Sequence, residues 1–587
     1  MSHTHNKDKN NISNSRNSNY DNDGNSSNNR NGGSSRMGIK KLDSTQSTTH
    51  IEGMAYSSGK DGKITQSGNN NYDIIRGKDK KKKKKKNNGV LDLNKEESFN
   101  DNSFYLSDNI VEDEELNTSG NKISFIKKLR MCISYFGPGW IVAVAYLDPG
   151  NLCSNLNVGL IRSSSNNNNN LVKDYTGYHL LWILAYGHLL GFIFQVLSMK
   201  IGHVTGLDLA SICYKEFDKR ISRILYFFVQ LAIWGAHIQS IVGTFVAIHL
   251  IFGVSVKVAI FYTLIEALIY SFLENRSLSL LENVLSFLIG ILAFCFIINV
   301  FMVPINFKEV AMSIMYPRIP EGKGFDAMAL LGSIISAHVF YLHTNLTSKK
   351  KAVIFNDRML KRYNTLGTIE SAGSLFLSCV TNCIIVLTFA EVSINVHDRR
   401  DEYNLFTAYE VMKKSFGKVS IYIWSFGLLS SGNNSSFMCE YASKSVFEGF
   451  LNKKISPFFR VLFFRFFLFS IIYLFLLYDK YSIDQLTNFI NVIQVLLLPL
   501  AIVPLYRFSI HKNVLGKFAL KKYAKFSVFV IVVSITIANL SLTLFDFLQS
   551  TRSIYAICFA VVFTFFYLFF IFLFFKLPIT KIYCQKC

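Results

Sequence analysis

The residues best suited to chemistry in this chain sit inside long apolar runs, where polar groups are costly. The first such run reads Gly137-Pro-Gly-Trp-Ile-Val-Ala-Val-Ala-Tyr-Leu-Asp148-Pro149-Gly150-Asn151. A carboxylate deep in an apolar helix marks a functional site by default. Pro149 has no amide hydrogen, so it cannot bond the carbonyl four residues back, that of Ala145. Gly150 lets the chain leave helical geometry at little cost. The predicted result is a ruptured helix that gathers three oxygens: the Asp148 carboxylate, the Asn151 side-chain carbonyl and the Ala145 backbone carbonyl. Hard donors of this kind suit divalent cations. The bland alternative is a kinked helix with Asp148 neutralised by a basic residue. The other apolar segments, read this way, offer no mid-span Lys or Arg to do so.

The second offending run reads Gly332-Ser-Ile-Ile-Ser336-Ala337-His338-Val-Phe-Tyr341-Leu-His343-Thr-Asn345. His338 and His343 are five residues apart, so they stand about 140° apart on a helix and cannot both face one ion. A lone membrane histidine often just bridges helices by a hydrogen bond. The functional expectation puts His338 beside the site as a group that titrates near neutral pH, with His343 relaying a proton or fixing the helix. Ser333 and Ser336 are expected to add hydroxyl or carbonyl oxygens.

The elements that position these residues follow from composition. Of 587 residues half are apolar, 14% are aromatic, and 53 are Phe. Charged residues are 17%, against about 25% in soluble chains, and many of them lie in the first 125 positions. An ordinary soluble enzyme is excluded. Twelve segments approach the roughly 20 apolar residues that a spanning helix needs. They lie at 132–160, 177–198, 225–252, 257–273, 283–303, 328–347, 366–390, 419–443, 459–478, 485–506, 524–548 and 553–575. The two runs above are spans 1 and 6, five apart, as an inverted repeat of spans 1–5 and 6–10 requires.

The links after spans 2, 6, 8 and 10 are basic, carrying Lys215, Lys219 and Arg220; Lys349 to Lys351 and Arg362; Lys453, Lys454 and Arg460; and Lys512, Lys517, Lys521 and Lys522. Basic links stay cytosolic, which puts both termini in the cytosol of a multi-pass integral membrane protein. Whether that membrane is endolysosomal, vacuolar or plasma is open. Residues 1–125 read as a disordered Asn/Ser/Lys-rich cytosolic tail, 126–576 as the transmembrane domain and 577–587 as a short cytosolic tail. The Lys80–Lys86 run reads as a solvated tract, so the net charge of +22 is no nucleic-acid footprint. No cleavable signal peptide precedes the tail, so the first span is expected to serve as the targeting signal. Cys295, Cys379, Cys383 and Cys439 read as buried small hydrophobes, and Cys584-Gln-Lys-Cys587 as a reduced, solvated end.

These residues, taken in order, resemble the Nramp family of divalent-metal transporters. Gly137-Pro-Gly-Trp through Asp148-Pro-Gly-Asn151, with Leu156 and Gly159, is similar to its first helix. Leu181-Trp182 and Val204-Thr-Gly-Leu-Asp-Leu-Ala210 resemble its second helix and the loop after it, and Tyr341-Leu-His343-Thr its sixth. Ile421 to Leu429 and Phe447-Glu-Gly-Phe-Leu451 resemble its eighth, and Asn491-Val-Ile-Gln494, Leu498-Pro499 and Val503-Pro504-Leu505 its tenth. The resemblance runs from about residue 128 to 576. It implies an all-α polytopic membrane protein of LeuT-type fold, a five-plus-five inverted repeat plus two helices with helices 1 and 6 discontinuous. It further implies a divalent ion, Mn²⁺ or Fe²⁺, moved with protons toward the cytosol. Asp148 and Asn151 carry over as side-chain ligands, Ala145 as a carbonyl ligand, and His338 and His343 as proton-linked histidines. No resident cofactor and no nucleic-acid partner is expected; the partners are metal ions, lipid and, still open, protons. Oligomeric state is also open.

The chain departs from the family pattern in four places. Ser336 replaces a methionine whose thioether favours softer ions, and Ala337 replaces the proline after it. In span 3, Gln230, His237 and Ser240 stand where the family has acids resembling part of its proton route, with His237 a candidate substitute carrier. Leu497 replaces a glutamine of the tenth helix, while Glu266 keeps an acid of the fourth. These changes point toward Nramp-related magnesium transporters without proton coupling, which remain the alternative. Transition-metal transport stays ahead because Asp148 and Asn151 are intact and an imidazole nitrogen suits Mn²⁺ and Fe²⁺ better than Mg²⁺. An amino-acid transporter on the same fold is disfavoured, since Asp148 would repel the substrate carboxylate. A membrane-embedded hydrolase or acyl transferase lacks enough converging acids and histidines.

Overall fold

The computed structural model describes residues 137–161, 177–276, 305, 307–350, 356–394, 403–410, 417–478, 483–550 and 554–583, with isolated positions at 287, 290, 294, 298 and 413. Eleven of the twelve expected spans fall within them. The fifth span falls almost wholly outside, as do Cys295, the Lys80–Lys86 run, the tail of residues 1–125 and Cys584–Cys587.

Long apolar sequence gives long helices because each backbone group must find its partner within the helix when no water is at hand. Span 2 runs Leu181–Thr205, span 3 Lys219–Phe252, span 4 Val256–Arg276 and span 7 Asp357–Ile394. Spans 8 to 12 are Ser420–Leu451, Pro457–Tyr478, Ile483–Ile510, Lys522–Ser550 and Ile554–Lys576. Several overshoot the expected bounds, because hydropathy marks the membrane-crossing part while hydrogen bonding carries the helix on into water. Span 7 is the clearest case, with 38 helical residues against about 20 for a crossing.

Spans 1 and 6 are broken. Span 1 begins as helix Pro138–Ala143, tightens into a 3-10 turn over Val144–Leu147, and resumes as Pro149–Gly159. Span 6 consists of Gly324–Ile334 and Ala337–Ser348, with Ile335 and Ser336 extended between them. The first half of span 6 packs on span 10, its second half on span 2, and the second half of span 1 on span 7. Span 8 lies along span 3 and carries an uncommonly polar stretch for an intramembrane helix, Ser430-Ser-Gly-Asn-Asn-Ser-Ser436. Large exposed side chains such as Phe565, Phe566 and Phe569 of span 12 cover the outside, as a lipid-facing surface requires.

Two expectations need correction. Arg465 is a mid-span cation: it lies in span 9, is 2% exposed, and bonds Glu440 of span 8 at 2.8 Å. The nearly continuous Phe and Leu of span 9 around it mask that single charge in a hydropathy profile. Cys379 and Cys383 are only half-buried, unlike Cys439, because each stands where its helix turns partly outward.

A carboxylate also holds the start of span 1. Glu370 of span 7 accepts from the amides of Gly137 at 2.7 Å, Gly139 at 2.9 Å and Trp140 at 3.4 Å. These are N-terminal amides that a helix leaves unpaired, and an anion there also meets the positive end of the helix dipole. Replacing Glu370 with Ala strips the only side chain shown to bond these amides among the described residues. A loss of about 1–3 kcal/mol is expected, readable as a lower thermal midpoint of the detergent-solubilised protein. An unchanged midpoint would mean the cap does not hold span 1.

Candidate metal centre

The break in span 1 takes its shape from Asp148, whose extended backbone (φ −73°, ψ 168°) stops the first half-helix and caps the second. Its Oδ1 accepts from the Asn151 amide at 2.8 Å and from Asn151 Nδ2 at 2.9 Å. Asn151 Nδ2 also reaches the Ala145 carbonyl at 3.4 Å. The three residues singled out as oxygen donors therefore converge on one point. All are buried, with Asp148 2% and Asn151 0% exposed. Asn151 Oδ1 has no hydrogen-bond partner among the described residues. Rotating the amide by half a turn, a change that ordinary side-chain freedom allows, points that oxygen where Nδ2 now stands and makes all three groups donors to a cation. No group of three or more His, Cys, Asp or Glu able to hold a metal occurs among the described residues. A cation here would thus meet one carboxylate and neutral oxygens, a weakly charged set suited to an ion that must also leave.

The break in span 6 is linked to this point through side chains of other helices. Ser336 Oγ donates to Gln494 Oε1 of span 10 at 2.6 Å. Gln494 Nε2 donates to Gln239 Oε1 of span 3 at 3.0 Å, and Gln239 Nε2 to Asn491 Oδ1 at 2.6 Å. Asn491 Nδ2 returns to span 1, donating to the Gly150 carbonyl at 3.2 Å and Ser154 Oγ at 2.8 Å. One unbroken ladder of side-chain amides thus joins the two ruptures. In the sequence Asn491 and Gln494 stand out only as part of a family motif, and Gln239 does not stand out at all. The signal that could have found all three is an amide in an otherwise apolar span.

The remaining expected residues separate. Ser333 donates its hydroxyl to the Leu330 carbonyl at 2.8 Å, so that group is engaged by its own helix. His338 is buried and its Nδ1 has no partner among the described residues. His343 Nδ1 lies 3.0 Å from the Gln195 carbonyl of span 2, a bridge between helices. Glu266 is buried on span 4, whose helix packs chiefly on spans 3, 8 and 9. His237 lies 3.8 Å from Glu440.

Above the breaks a broad, polar cleft opens, lined by Asn157, Asp326, Asp484 and Asn488 among others. Asn488 Oδ1 accepts from Ser154 at 3.3 Å, so the cleft runs into the amide ladder.

Comparison with known proteins points to one family. A family profile described as "Natural resistance-associated macrophage protein-like" matches residues 139–546. A Plasmodium falciparum protein named divalent metal transporter 1 is 70% identical over 493 residues, 84% of this chain and 71% of that one. Human natural resistance-associated macrophage protein 2 is 30% identical over 436 residues, covering 68% of this chain and 74% of its own. The crystal structure of a manganese transporter from Eremococcus coleocola superposes with a TM-score of 0.65 at 20% identity, covering 78% of this chain and 96% of that one. At that identity the likeness shows the fold, and the fold is the LeuT-type inverted repeat with helices 1 and 6 discontinuous.

Proposed function

Because the chain belongs to the Nramp family and is a divalent metal transporter, not an enzyme, we propose that it carries Mn²⁺ or Fe²⁺ toward the cytosol by alternating access, together with protons. In this proposal residues 126–576 form the transporting unit, flanked by cytosolic tails at 1–125 and 577–587. Asp148, Asn151 and the Ala145 carbonyl bind the ion, with Ser336 and the backbone around Ser333 completing the shell from span 6. The observation that carries the reading is the convergence of Asp148, Asn151 Nδ2 and the Ala145 carbonyl at one helix break, with an unpartnered amide oxygen beside them. The cleft above that break supports the direction: it lies at the ends of spans 1, 6 and 10 that basic-link counting puts away from the cytosol. His338, with its unpartnered Nδ1, supports Mn²⁺ and Fe²⁺ over Mg²⁺, since an imidazole nitrogen is a poor ligand for the harder ion.

One observation favours the magnesium alternative. Ser336 offers a hydroxyl where the family has a thioether, and a hard oxygen does not reject Mg²⁺. Uptake of Mn²⁺, Fe²⁺, Mg²⁺ and Ca²⁺ into liposomes holding the purified protein, with internal pH recorded, separates the two. Mn²⁺ and Fe²⁺ are expected to enter and acidify the interior; Mg²⁺ entering fastest without acidification would favour the alternative. Ser336→Met is expected to raise the Mn²⁺-to-Mg²⁺ uptake ratio severalfold, about 1 kcal/mol of discrimination. An unchanged ratio removes Ser336 from the selectivity argument.

A further inference from the structure

After span 12 the chain leaves helical geometry, and residues 577–583 run on as an irregular strap that two links hold in place. Glu216 closes the short helix Leu209–Glu216 between spans 2 and 3, and its carboxylate accepts three bonds from the strap. They come from the amides of Thr580 at 2.8 Å and Lys581 at 3.1 Å, and from the Tyr583 hydroxyl at 2.7 Å. The Tyr583 amide donates in turn to the Asn513 carbonyl at 2.9 Å, in the short helix Lys512–Leu515 between spans 10 and 11. Arg507 of span 10 donates to the Leu577 carbonyl. Next to Glu216 in the chain, Phe217 is 5% exposed. Its ring centre lies 5.7 Å from that of Phe508 in span 10 and 5.8 Å from that of Phe574 in span 12.

We propose that this strap is a latch, with Glu216 as its catch, that holds the cytosolic side of the transporter shut. The proposal rests on the alternating-access reading above and on the orientation that basic-link counting gives. An irregular segment leaves its backbone donors unpaired unless something outside it supplies acceptors. Here one carboxylate supplies two and Asn513 a third, and bonds to a charged acceptor are the stronger kind. What the bonds fasten together matters more than their number. Leu209–Glu216 packs chiefly on span 8 and also on the second half of span 6, whereas Lys512–Leu515 packs on spans 2 and 10. Span 12, from which the strap leaves, packs on span 10. Any opening of this side that moves the second half of span 6 relative to span 10 must therefore break the bonds to Glu216.

Two further ties lie on the same side. Lys349, just past span 6, donates to the Tyr441 hydroxyl of span 8 at 2.5 Å. Lys517, in the link after span 10, pairs with Asp357 at the start of span 7 at 2.9 Å. That second pair is 65% and 49% exposed, so water competes with it and it holds little. The strap is better placed to hold, because backbone amides cannot swing aside as long side chains do. Burial and the Glu216 carboxylate push the Tyr583 hydroxyl well above its ordinary range, so it remains a donor at any physiological pH. On the opposite side lies the broad cleft lined by Asp326 and Asp484. The molecule is thus open on one side and fastened on the other, which is the state a cytosolic latch would favour.

The test is amide hydrogen exchange, read by mass spectrometry on the full-length protein in lipid nanodiscs with and without Mn²⁺. In the wild type, Mn²⁺ should shift protection between the two halves of span 6, Gly324–Ile334 and Ala337–Ser348. Glu216→Ala should raise exchange in Ala337–Ser348 about tenfold, as the loss of bonds to one charged acceptor predicts, and should slow exchange in Gly324–Ile334. In liposomes it should also raise the external Mn²⁺ concentration needed for half-maximal uptake, because fewer molecules face outward. Tyr583→Phe removes a single hydroxyl and should shift both halves in the same directions by a smaller factor. It decides the matter if Glu216→Ala does not fold. Exchange that rises only in Leu209–Glu216 and residues 577–583, with both halves of span 6 unchanged, overturns the latch and leaves a local tie. A wild type in which Mn²⁺ moves neither half of span 6 overturns the alternating-access reading itself.

Discussion

Asp148→Ala is expected to abolish Mn²⁺ uptake by the reconstituted protein while leaving it folded. Two roles of the side chain have to be separated. As the cap of the second half-helix, Asp148 accepts from the Asn151 amide, and losing a cap costs about 1 kcal/mol. As the one carboxylate among the candidate ligands, it supplies the only full negative charge the ion would meet there. Losing the charged partner of a buried cation costs about 3–5 kcal/mol, a factor on the order of 10²–10⁴ in occupancy. The second effect exceeds the first, so uptake should vanish before stability does. Asp148→Asn makes the distinction sharper, because it keeps an oxygen to cap the helix and removes the charge. Its thermal midpoint should match the wild type, and its uptake should match that of Asp148→Ala. Near-normal flux in either variant would refute the site.

The break in span 1 is legible in the sequence because its cause is local. Pro149 withdraws a donor from Ala145, and Asp148 caps the resumed half-helix through an amide three residues on. Span 6 has no proline at its break, and Ser333, Ser336 and His338 mark the stretch as polar-bearing without showing that it breaks; the family resemblance alone implied that. The partners of these residues are not legible, since they lie on other helices far along the chain. Ser336 meets Gln494 across 158 residues, and Gly137 meets Glu370 across 233. A polar residue within an apolar run announces that it has a partner without saying which. Glu440 and Arg465 show the same limit. The charges are 25 residues apart, and they meet only because the long Arg465 side chain reaches span 8 from a helix that packs chiefly on span 4 and, more lightly, on span 3. The family resemblance singles out His237, and the carboxylate that faces it stays hidden in the sequence.

Gly332→Ala is expected to be nearly as damaging as the loss of Asp148, by a different route. A Cβ at Gly332 would lie 1.9 Å from the Asn491 carbonyl oxygen and 2.8 Å from its carbon. Both are backbone atoms of span 10, so no side chain can swing aside. The first half of span 6 would have to retreat, and such overpacking costs about 1–3 kcal/mol. The retreat also pulls at the ladder that joins the breaks, since Ser336 lies four residues on and bonds Gln494, one turn along from Asn491. Stability should therefore fall, and uptake should fall further than stability alone explains. Gly373→Ala in span 7 is the matched control, because nothing stands within 4 Å of its added Cβ. There the lost backbone freedom of the unfolded chain favours folding by about 0.4–1 kcal/mol, and uptake should be unchanged. If Gly332→Ala behaved like Gly373→Ala, spans 6 and 10 could not approach as closely as described. The amide ladder would then have no fixed span, and the two breaks would have to be coupled by some other contact.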